Sequence, residues 1–360
     1  MPAECRWVPL ASEDVKILFN GGSVFLSDNG DRTVIYTSAS DLTAASKCEF
    51  AFLRGFDTRL GRIAAVAQNP DAMLERTGRL GDEHELRVLE RYRAEFGAGV
   101  IEIDRPDIRN STALATAAEA TRAAFESAAD VVFQATFHEA LDGEADDGDI
   151  AFIGFADFIV RTPDGRYLVQ DTKLARSARV TALLQLAAYA EQLKRLGVPT
   201  ADSVQLLLGD GTVSQHRLRD ITPVYRKRRE RLHQIISERR DDTGIVAWSD
   251  GRYTVCGHCD VCAAEIEATR DVLLVAGMRV TQRSRLADAD IRTIDQFAVS
   301  SGPVDRIGDG ALHALRQQAR LQLTAPVGDV AHSAPPFEVI DAAALSAIPA
   351  PDDGDIFFDF

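Results

Sequence analysis

The chain has little of several features that would place it in a particular class of protein. It has no uninterrupted apolar run of about 20 residues, the length that crosses a bilayer. Its opening residues, MPAECRWVPL, lack the basic start and apolar core of a signal peptide. Only five of its 360 residues are cysteine, too few in a reducing compartment to indicate a disulfide framework. The sequence therefore predicts a cytoplasmic protein without a membrane partner.

The chain also lacks a net positive charge, since its formal charge is −15, whereas domains that bind nucleic acid are usually basic. One segment between Tyr225 and Arg240 nevertheless concentrates cations. A local basic face can bind phosphates on an acidic protein, although a solvated helix face is the alternative. The predicted nucleic-acid-binding residues are Arg226, Lys227, Arg228, Arg229 and Arg231.

The apolar periodicity alternates between that of strands and that of helices. Ser38 or Ser40 is placed to cap a helix that continues through Cys48 and Phe52. Further helices are expected at about 71–96, 112–128, 180–197 and 225–240, and strands at about 131–137, 150–160, 166–174, 203–210 and 212–218. Because helices and strands do not strictly alternate, the pattern predicts an α/β fold whose sheet is partly antiparallel.

Three domains are expected along the chain. Residues 1–270 form the main domain, and 271–325 form a small helical region similar to a helix–hairpin–helix module. Residues 326–360 are rich in Ala, Pro and Asp and end in the apolar run GDIFFDF, so we expect a linker and the start of a further domain. Asp359 would be the first acid of that domain. Cys5 has no predicted role.

The most informative segment is IGFADFIVRTPDGRYLVQDTK. Pro163-Asp164-Gly165 predicts a tight hairpin turn, because Pro presets φ and Gly accepts a positive φ. The resulting register places Asp157 opposite Asp171, with Lys173 two residues beyond on the same face. Opposed carboxylates in an apolar sheet are unfavourable unless they are protonated or bind a cation. A hard divalent cation resolves the conflict; a solvated surface hairpin and an ordinary Asp–Lys ion pair are the alternatives.

Asp157 followed by Asp171-Thr172-Lys173 resembles the signature of the PD-(D/E)XK nucleases. Upstream, GRLGDEHE with His84 resembles the histidine motif of the RecB-like branch of that family. That likeness implies a restriction-endonuclease-like fold, which is a mixed sheet flanked by helices.

Downstream, LLQLAAY, with Gln185 and Tyr189 one helical turn apart, is similar to the Q-x-x-x-Y motif of the same branch. The motifs occur in the family's order over about residues 38–275, as in CRISPR-associated RecB-like exonucleases and AddB-type nuclease domains. The resemblance assigns the binding of Mg²⁺ or Mn²⁺ to Asp157, Asp171, the carbonyl of Thr172 and the imidazole of His84. It gives Lys173 the orientation or activation of the attacking water, and gives Gln185 and Tyr189 the positioning of the substrate or of the lysine.

The cysteines indicate a second metal centre. Cys256, Cys259 and Cys262 are spaced C-x-x-C-x-x-C, and Cys48 lies far upstream. This arrangement is typical of ferredoxin-type ligation and predicts a 4Fe–4S cluster, whereas His258 within the motif keeps Zn²⁺ as the alternative. RecB-like iron–sulfur nucleases similarly take one cysteine before the nuclease core and three after it. This chain departs from the family's wider spacing before the last cysteine.

The sequence thus predicts a metal-dependent deoxyribonuclease, an exonuclease on single-stranded DNA that acts in DNA repair or processing. A longer protein would add a further exonuclease or helicase domain. The alternatives are a catalytically silent nucleic-acid-binding accessory protein and a zinc-stabilised scaffold.

Overall fold

The computed structural model describes residues 25–29, 32–64, 72–108, 110–139, 150–324, 336–341, 343–347 and 349–356. The chain divides into two compact units, residues 1–256 and 257–360, so that the boundary lies inside the cysteine motif. The domain limits expected at 270 and 325 stay predictions. Cys5 and Asp359 lie outside the described residues. Among the described helices, none is both long and apolar enough to cross a membrane.

The first unit is built from strands and helices that follow the predicted pattern closely. The strands are β1 (Phe25–Asn29), β2 (Arg32–Thr37), β3 (Val100–Glu102), β4 (Val131–His138), β5 (Ile150–Arg161), β6 (Tyr167–Lys173), β7 (Ser203–Leu208) and β8 (Val213–Arg217). The helices are α1 (Ala39–Lys47), α2 (Glu49–Arg59), α3 (Ala72–Phe96), α4 (Ser111–Glu126), α5 (Val180–Arg195) and α6 (Leu218–Arg240).

All of these strands belong to one mixed sheet with the order β1-β2-β5-β6-β7-β8, in which β4 also pairs with β5 and β3 with β4. The pairs β2–β5, β3–β4 and β6–β7 are parallel, and the others are antiparallel. Helices flank this sheet. The predicted α/β fold with a partly antiparallel sheet is therefore confirmed.

Helix packing fixes the position of the central strands. The apolar side of α3, at Val88 and Leu89, is buried against Phe158 of β5 and Leu207 of β7. Helix α5 buries most of its Ala and Leu side chains, as expected for a helix covered on several sides. β5 and β6 thus lie in a mostly apolar setting that holds the polar residues Asp157, Asp171 and Lys173 in place.

The helix predicted to run through Cys48 is two helices, which corrects that expectation. Cys48 adopts an extended backbone (φ −159°, ψ 106°), ends α1 and begins α2, where its Sγ accepts a hydrogen bond from the Ala51 amide. The predicted cap at Ser38 is confirmed, since Ser38 and Asp41 form a reciprocal capping box. A helix-terminating thiol is consistent with a chain that turns to present a ligand.

The second unit contains the short helices that its sequence predicts. They are α7 (Asp260–Thr269), α8 (Val280–Asp288), α9 (Ile294–Val299) and α10 (Asp309–Thr324). Its core includes Val272, Leu286, Phe297 and Leu312, all nearly inaccessible to solvent.

Candidate active site and cysteine centre

The hairpin between β5 and β6 has the register that its turn predicts. The Thr162 amide donates to the Arg166 carbonyl at 2.7 Å, and Gly165 takes the positive φ of 80° that the turn requires. The ladder then pairs Arg161 with Tyr167 and continues to Phe158 and Gln170. The predicted register is confirmed as far as the pair of Phe158 and Gln170, which is next to the two acids.

At the acids themselves the strands part. The regular pairs end at Phe158 and Gln170, and one carboxylate oxygen of Asp157 accepts hydrogen bonds from the amide and the hydroxyl of Thr172, both at 3.1 Å. The expectation of a plain cross-strand pair between Asp157 and Asp171 is therefore corrected. The parting removes part of the repulsion between like charges placed directly opposite.

Asp171 is a buried acid whose ion pair leaves its burial cost partly unmet. Only 5% of the residue is exposed, and its Oδ2 lies 2.6 Å from the Lys173 ammonium. That contact is outside ordinary hydrogen-bond geometry, so the oxygen has no hydrogen-bond partner among the described residues. Burial, together with the charge of Asp157, raises the pKa of Asp171 to about 8 against the opposing effect of Lys173. The ion pair is thus present, but in a setting that suits a hard cation.

Lys173 keeps its charge in this setting. Burial favours its neutral form, but the carboxylates of Asp171 and Asp157 outweigh burial and leave its pKa above the ordinary value. The side chain is 38% exposed. Lys173 is therefore an ammonium that is held beside the acids and open to solvent.

His84 lies on α3 near the strands of the site. It is buried, and its Nε2 is 3.1 Å from the Leu207 carbonyl on β7, where Leu207 pairs with Thr172. His84, Asp157 and Asp171 do not form a group with converging ligand atoms, as judged over the part of the chain that the structure describes. The structure thus brings His84 to the neighbouring strand, but with one ring nitrogen already engaged.

Tyr189 of the Q-x-x-x-Y motif lies on α5 and packs against β5. Its hydroxyl lies against the Phe155 backbone, and burial followed by the charges of Asp157 and Asp171 raises its pKa. A Cβ at Gly154 would lie 2.8 Å from the Tyr189 ring, so only glycine allows this approach. Gln185, one helical turn earlier, is half-buried.

Glu85 and Gln134 also belong to this region, and sequence reasoning missed both. Gln134 lies on β4 between residues paired with Phe158 and Ala156, opposite Asp157, and its φ of 55° is unusual for a residue with a side chain. Its amide donates to the Glu85 carboxylate. Burial and the charge of Asp157 raise the pKa of Glu85 to about 7. Glu85 neighbours His84 in the histidine motif, which was a usable signal, whereas no local pattern marks Gln134.

The four predicted cysteine ligands come together. The Sγ atoms of Cys48, Cys256, Cys259 and Cys262 all lie within 4.8 Å of one another, the first and last being buried and the other two half-buried. Zn–S bonds of about 2.3 Å would place sulfurs roughly 3.8 Å apart around a single tetrahedral ion. The chemistry of four thiols fits a soft metal or an iron–sulfur cluster. The centre can therefore bind a metal, and either predicted identity is chemically consistent with these ligands.

Two helices begin at this centre. Cys48 is the N-cap of α2 and Cys259 is the N-cap of α7. The Ala51 amide donates to the Cys48 sulfur at 3.4 Å. Helix N-termini stabilise negative charge, so both positions suit a negatively charged metal–thiolate centre.

A clamp beside Cys48 involves one residue of the basic helix. The Arg231 guanidinium donates to both carboxylate oxygens of Glu49 at 2.8 and 2.9 Å. Glu49 in turn accepts from the Thr254 amide at 2.8 Å, and the Phe50 amide donates to the Thr254 carbonyl at 3.1 Å. This clamp holds the start of α2 to the segment that precedes Cys256.

The five predicted nucleic-acid-binding residues of α6 are therefore in different environments. Arg231 is engaged in the clamp, and Arg226 pairs with Glu191 at 3.0 Å. Lys227 and Arg228 are exposed, whereas Arg229 is half-buried. The exposed pair is the part of the predicted set that is best placed to meet phosphates.

No protein-family model and no curated protein sequence matches the chain. Among solved structures, the protein SSO0001 is similar at 14% identity, with a TM-score of 0.29, over 54% of this chain and 75% of that protein. A protein from Eubacterium rectale, provisionally described as an exonuclease, is similar at 13% identity, with a TM-score of 0.34, over 68% of this chain and 94% of its own. At these scores the likenesses carry no argument about function, which depends on the site residues themselves.

Proposed function

We propose that the chain is a metal-dependent nuclease of the RecB-like PD-(D/E)XK family that hydrolyses phosphodiester bonds. Its expected substrate is single-stranded DNA, degraded from an end during repair or processing. The observation that carries this proposal is the gathering of Asp157, Asp171 and Lys173 where β5 and β6 part. Two acids next to an ammonium, one of the acids being buried, suit the binding of a cation and a phosphate together.

Mg²⁺ or Mn²⁺ fits the donor set of Asp157, Asp171 and the Thr172 carbonyl. His84 would join them through the ring nitrogen that is not engaged with Leu207. When bound, such an ion lowers the pKa of a coordinated water and neutralises phosphate charge. The buried Oδ2 of Asp171, which lies beside the Lys173 ammonium and meets no hydrogen-bond donor in regular geometry among the described residues, is the atom that such an ion would best satisfy.

The remaining residues position the reacting groups. Lys173, whose ammonium lies 2.6 Å from Asp171, would orient or activate the attacking water and stabilise the charge of the phosphate. Tyr189 fixes β5 behind Asp157 through the Phe155 backbone, and Gln185 on the same helix would help to orient the substrate. These roles follow the family's pattern.

The cysteine centre is proposed to be a structural 4Fe–4S cluster, with Zn²⁺ as the alternative. The spacing C-x-x-C-x-x-C supports the cluster, and nothing in the proposed chemistry requires electron transfer. Its ligands come from segments far apart in the sequence, so metal binding would contribute folding free energy.

The proposal is tested with anaerobically purified protein and end-labelled single-stranded DNA, with Mg²⁺ or Mn²⁺ and with or without a chelator. Cleavage that the chelator abolishes is expected from the wild type, and loss of cleavage from Asp171→Asn. Asp202→Asn is the matched control, because Asp202 is an exposed acid that pairs with Arg166 near the turn. Binding without cleavage would instead identify a silent accessory protein, and neither binding nor cleavage would identify a scaffold.

A further inference from the structure

The loop that joins β3 to α4 brings a cation to the candidate active site. The Arg105 guanidinium lies over the Phe155 ring, 5.2 Å from its centroid. Phe155 is two residues before Asp157 on β5, and its backbone contacts Tyr189. The start of the loop is anchored next to Gln134, because the Ile103 amide donates to the Phe133 carbonyl at 3.0 Å. Arg105 is thus held close to the acids by two neighbouring strands.

Arg105 keeps its donors available. It is exposed, and it forms no ion pair or hydrogen bond with the described residues. By contrast, Arg226 and Arg231 of the basic helix are paired with Glu191 and Glu49. A guanidinium stacked on an aromatic ring is oriented by that ring, while its in-plane N–H groups still point outward. This is the arrangement of a preorganised anion-binding side chain.

Arg105 lies on the side of β5 that carries Asp157. Its guanidinium is over the Phe155 ring, and side chains two residues apart on a strand project to the same face of the sheet. Its charge also opposes the rise that burial and the charges of Asp157 and Asp171 cause in the pKa of Tyr189. Arg105 is therefore placed to offset the repulsion that these carboxylates exert on an approaching phosphate.

We propose that Arg105 is a substrate-positioning residue that binds a backbone phosphate of the nucleic-acid strand beside the scissile bond. The inference rests on the proposed nuclease function and names a contact that the family's motifs do not include. A chain with a net charge of −15 must bring a polyanion to a pair of acids, and a fixed guanidinium next to them lowers that barrier. Bidentate donation to phosphate oxygens is the geometry for which arginine is suited.

The test compares Arg105→Gln and Arg105→Lys with Arg122→Gln. Arg122 is an exposed arginine of α4 that pairs with Glu119 one turn away and is the matched control. Cleavage of single-stranded DNA gives kcat/KM, and binding is measured in the Asp171→Asn background over a range of salt. We expect Arg105→Gln to lower kcat/KM by about 10- to 100-fold. It should also make the slope of log K against log salt shallower by about 0.7, the change for one lost phosphate contact on a single strand.

Arg105→Lys should keep the salt slope and recover part of the affinity, since it retains the charge but loses the planar fork. If Arg105→Gln matches Arg122→Gln in both kcat/KM and salt slope, the inference is overturned while the nuclease function stands. A loss of activity with an unchanged slope and a lower Tm would also overturn it, because that pattern indicates a structural role. A wild type that cleaves no nucleic acid would overturn the nuclease function, and the inference with it.

Discussion

The carboxylate site and the cysteine centre are both proposed to bind a positive ion, but the chain holds the two sets of side chains in different ways. The carboxylates lie on neighbouring strands of one sheet, where Thr172 bonds Asp157 and Lys173 pairs with Asp171. The thiols come from segments separated by most of the first unit's sequence and meet at helix starts. The first set is positioned by the packing of the sheet, whereas the second set itself joins distant parts of the chain.

This difference predicts that loss of the ion at the carboxylates and loss of the ion at the thiols would have different effects. The sheet around Asp157 and Asp171 has its own apolar core, formed in part by Phe158 and Leu207, so we expect it to fold without an ion at the carboxylates. The region around Cys48 is joined to the later segment by directional contacts that include the Glu49–Arg231 clamp and the buried Asp57–Arg239 ion pair, but the thiols themselves come from segments far apart in the sequence. We therefore expect the carboxylate site to affect activity and the cysteine centre to affect stability.

The largest effect is expected from Cys256→Ser. Structural metal binding is worth on the order of 10 kcal/mol, so loss of one ligand should reduce the yield of soluble protein severely and lower the Tm. Cys5→Ser is the control, because Cys5 has no assigned role. Analysis of iron, sulfide and zinc in both preparations identifies the metal. A Cys256→Ser protein with normal yield and Tm would show that the cysteine centre does not stabilise the fold.

Asp171→Asn tests the expectation that the carboxylate site affects activity rather than stability. We expect cleavage to fall by about 10²-fold or more, as when a preorganised charge is removed from an active site. The Tm of the metal-free protein should stay unchanged or rise, because the amide removes a buried charge whose burial cost is only partly met. Thermal unfolding in chelator and single-turnover cleavage measure the two quantities. A strong loss of Tm would show that the Lys173 pair supports the fold.

The features that sequence predicted well are those set by short-range rules. Gly165 and Pro163 determine the turn, and the turn determines the register that brings Asp157 and Asp171 to adjacent strands. The thiols of Cys256, Cys259 and Cys262 followed from their spacing, whereas the remote Cys48 was assigned with the help of the family resemblance. Local chemistry was sufficient for the turn and for these three thiols, because the chain between the relevant residues is short.

The features that sequence could not predict depend on long-range contacts. The positive φ of Gln134 arises on a strand between two regular pairs, and no residue nearby in sequence indicates it. Cys48 interrupts a helical pattern because its neighbour Glu49 is held by Arg231 and Thr254, which are remote in sequence. The single Arg105 was overlooked because a run of cations on α6 is the more visible pattern.

Arg231 and Arg228 on α6 allow a stabilising ion pair to be compared with a proposed phosphate contact in the same helix. Arg231→Gln should lower the free energy of unfolding by about 1–3 kcal/mol, since it leaves the buried Glu49 carboxylate without its charged partner. Arg228→Gln should leave stability unchanged, because Arg228 is exposed. Only Arg228→Gln is expected to make the salt dependence of DNA binding shallower. Urea unfolding and salt titrations of both variants separate the two roles, and a reversed result would assign the phosphate contact to Arg231.

The smallest effect is a pH dependence of the metal-free protein. The folded pKa of Asp171, about 8, lies above the unfolded value of about 4, so the native state binds more protons between these limits. Stability should therefore fall as pH rises through this window, by on the order of 1 kcal/mol between pH 5 and 8, because effective dielectric constants at buried sites are high. Glu85, raised to about 7, acts in the same direction.

His138 acts in the opposite direction, because burial lowers its pKa and its neutral form is favoured as pH rises. Comparing the wild type with Asp171→Asn at each pH subtracts this contribution. We expect the wild type to lose stability relative to Asp171→Asn from pH 5 to pH 8 in chelator. This relative loss of stability between pH 5 and pH 8 should vanish when Mg²⁺ or Mn²⁺ holds the carboxylate ionised in the folded state. Parallel curves for the two proteins in chelator would mean that Asp171 is ionised without a cation, and the carboxylate site would then resemble a satisfied ion pair rather than a place for a metal.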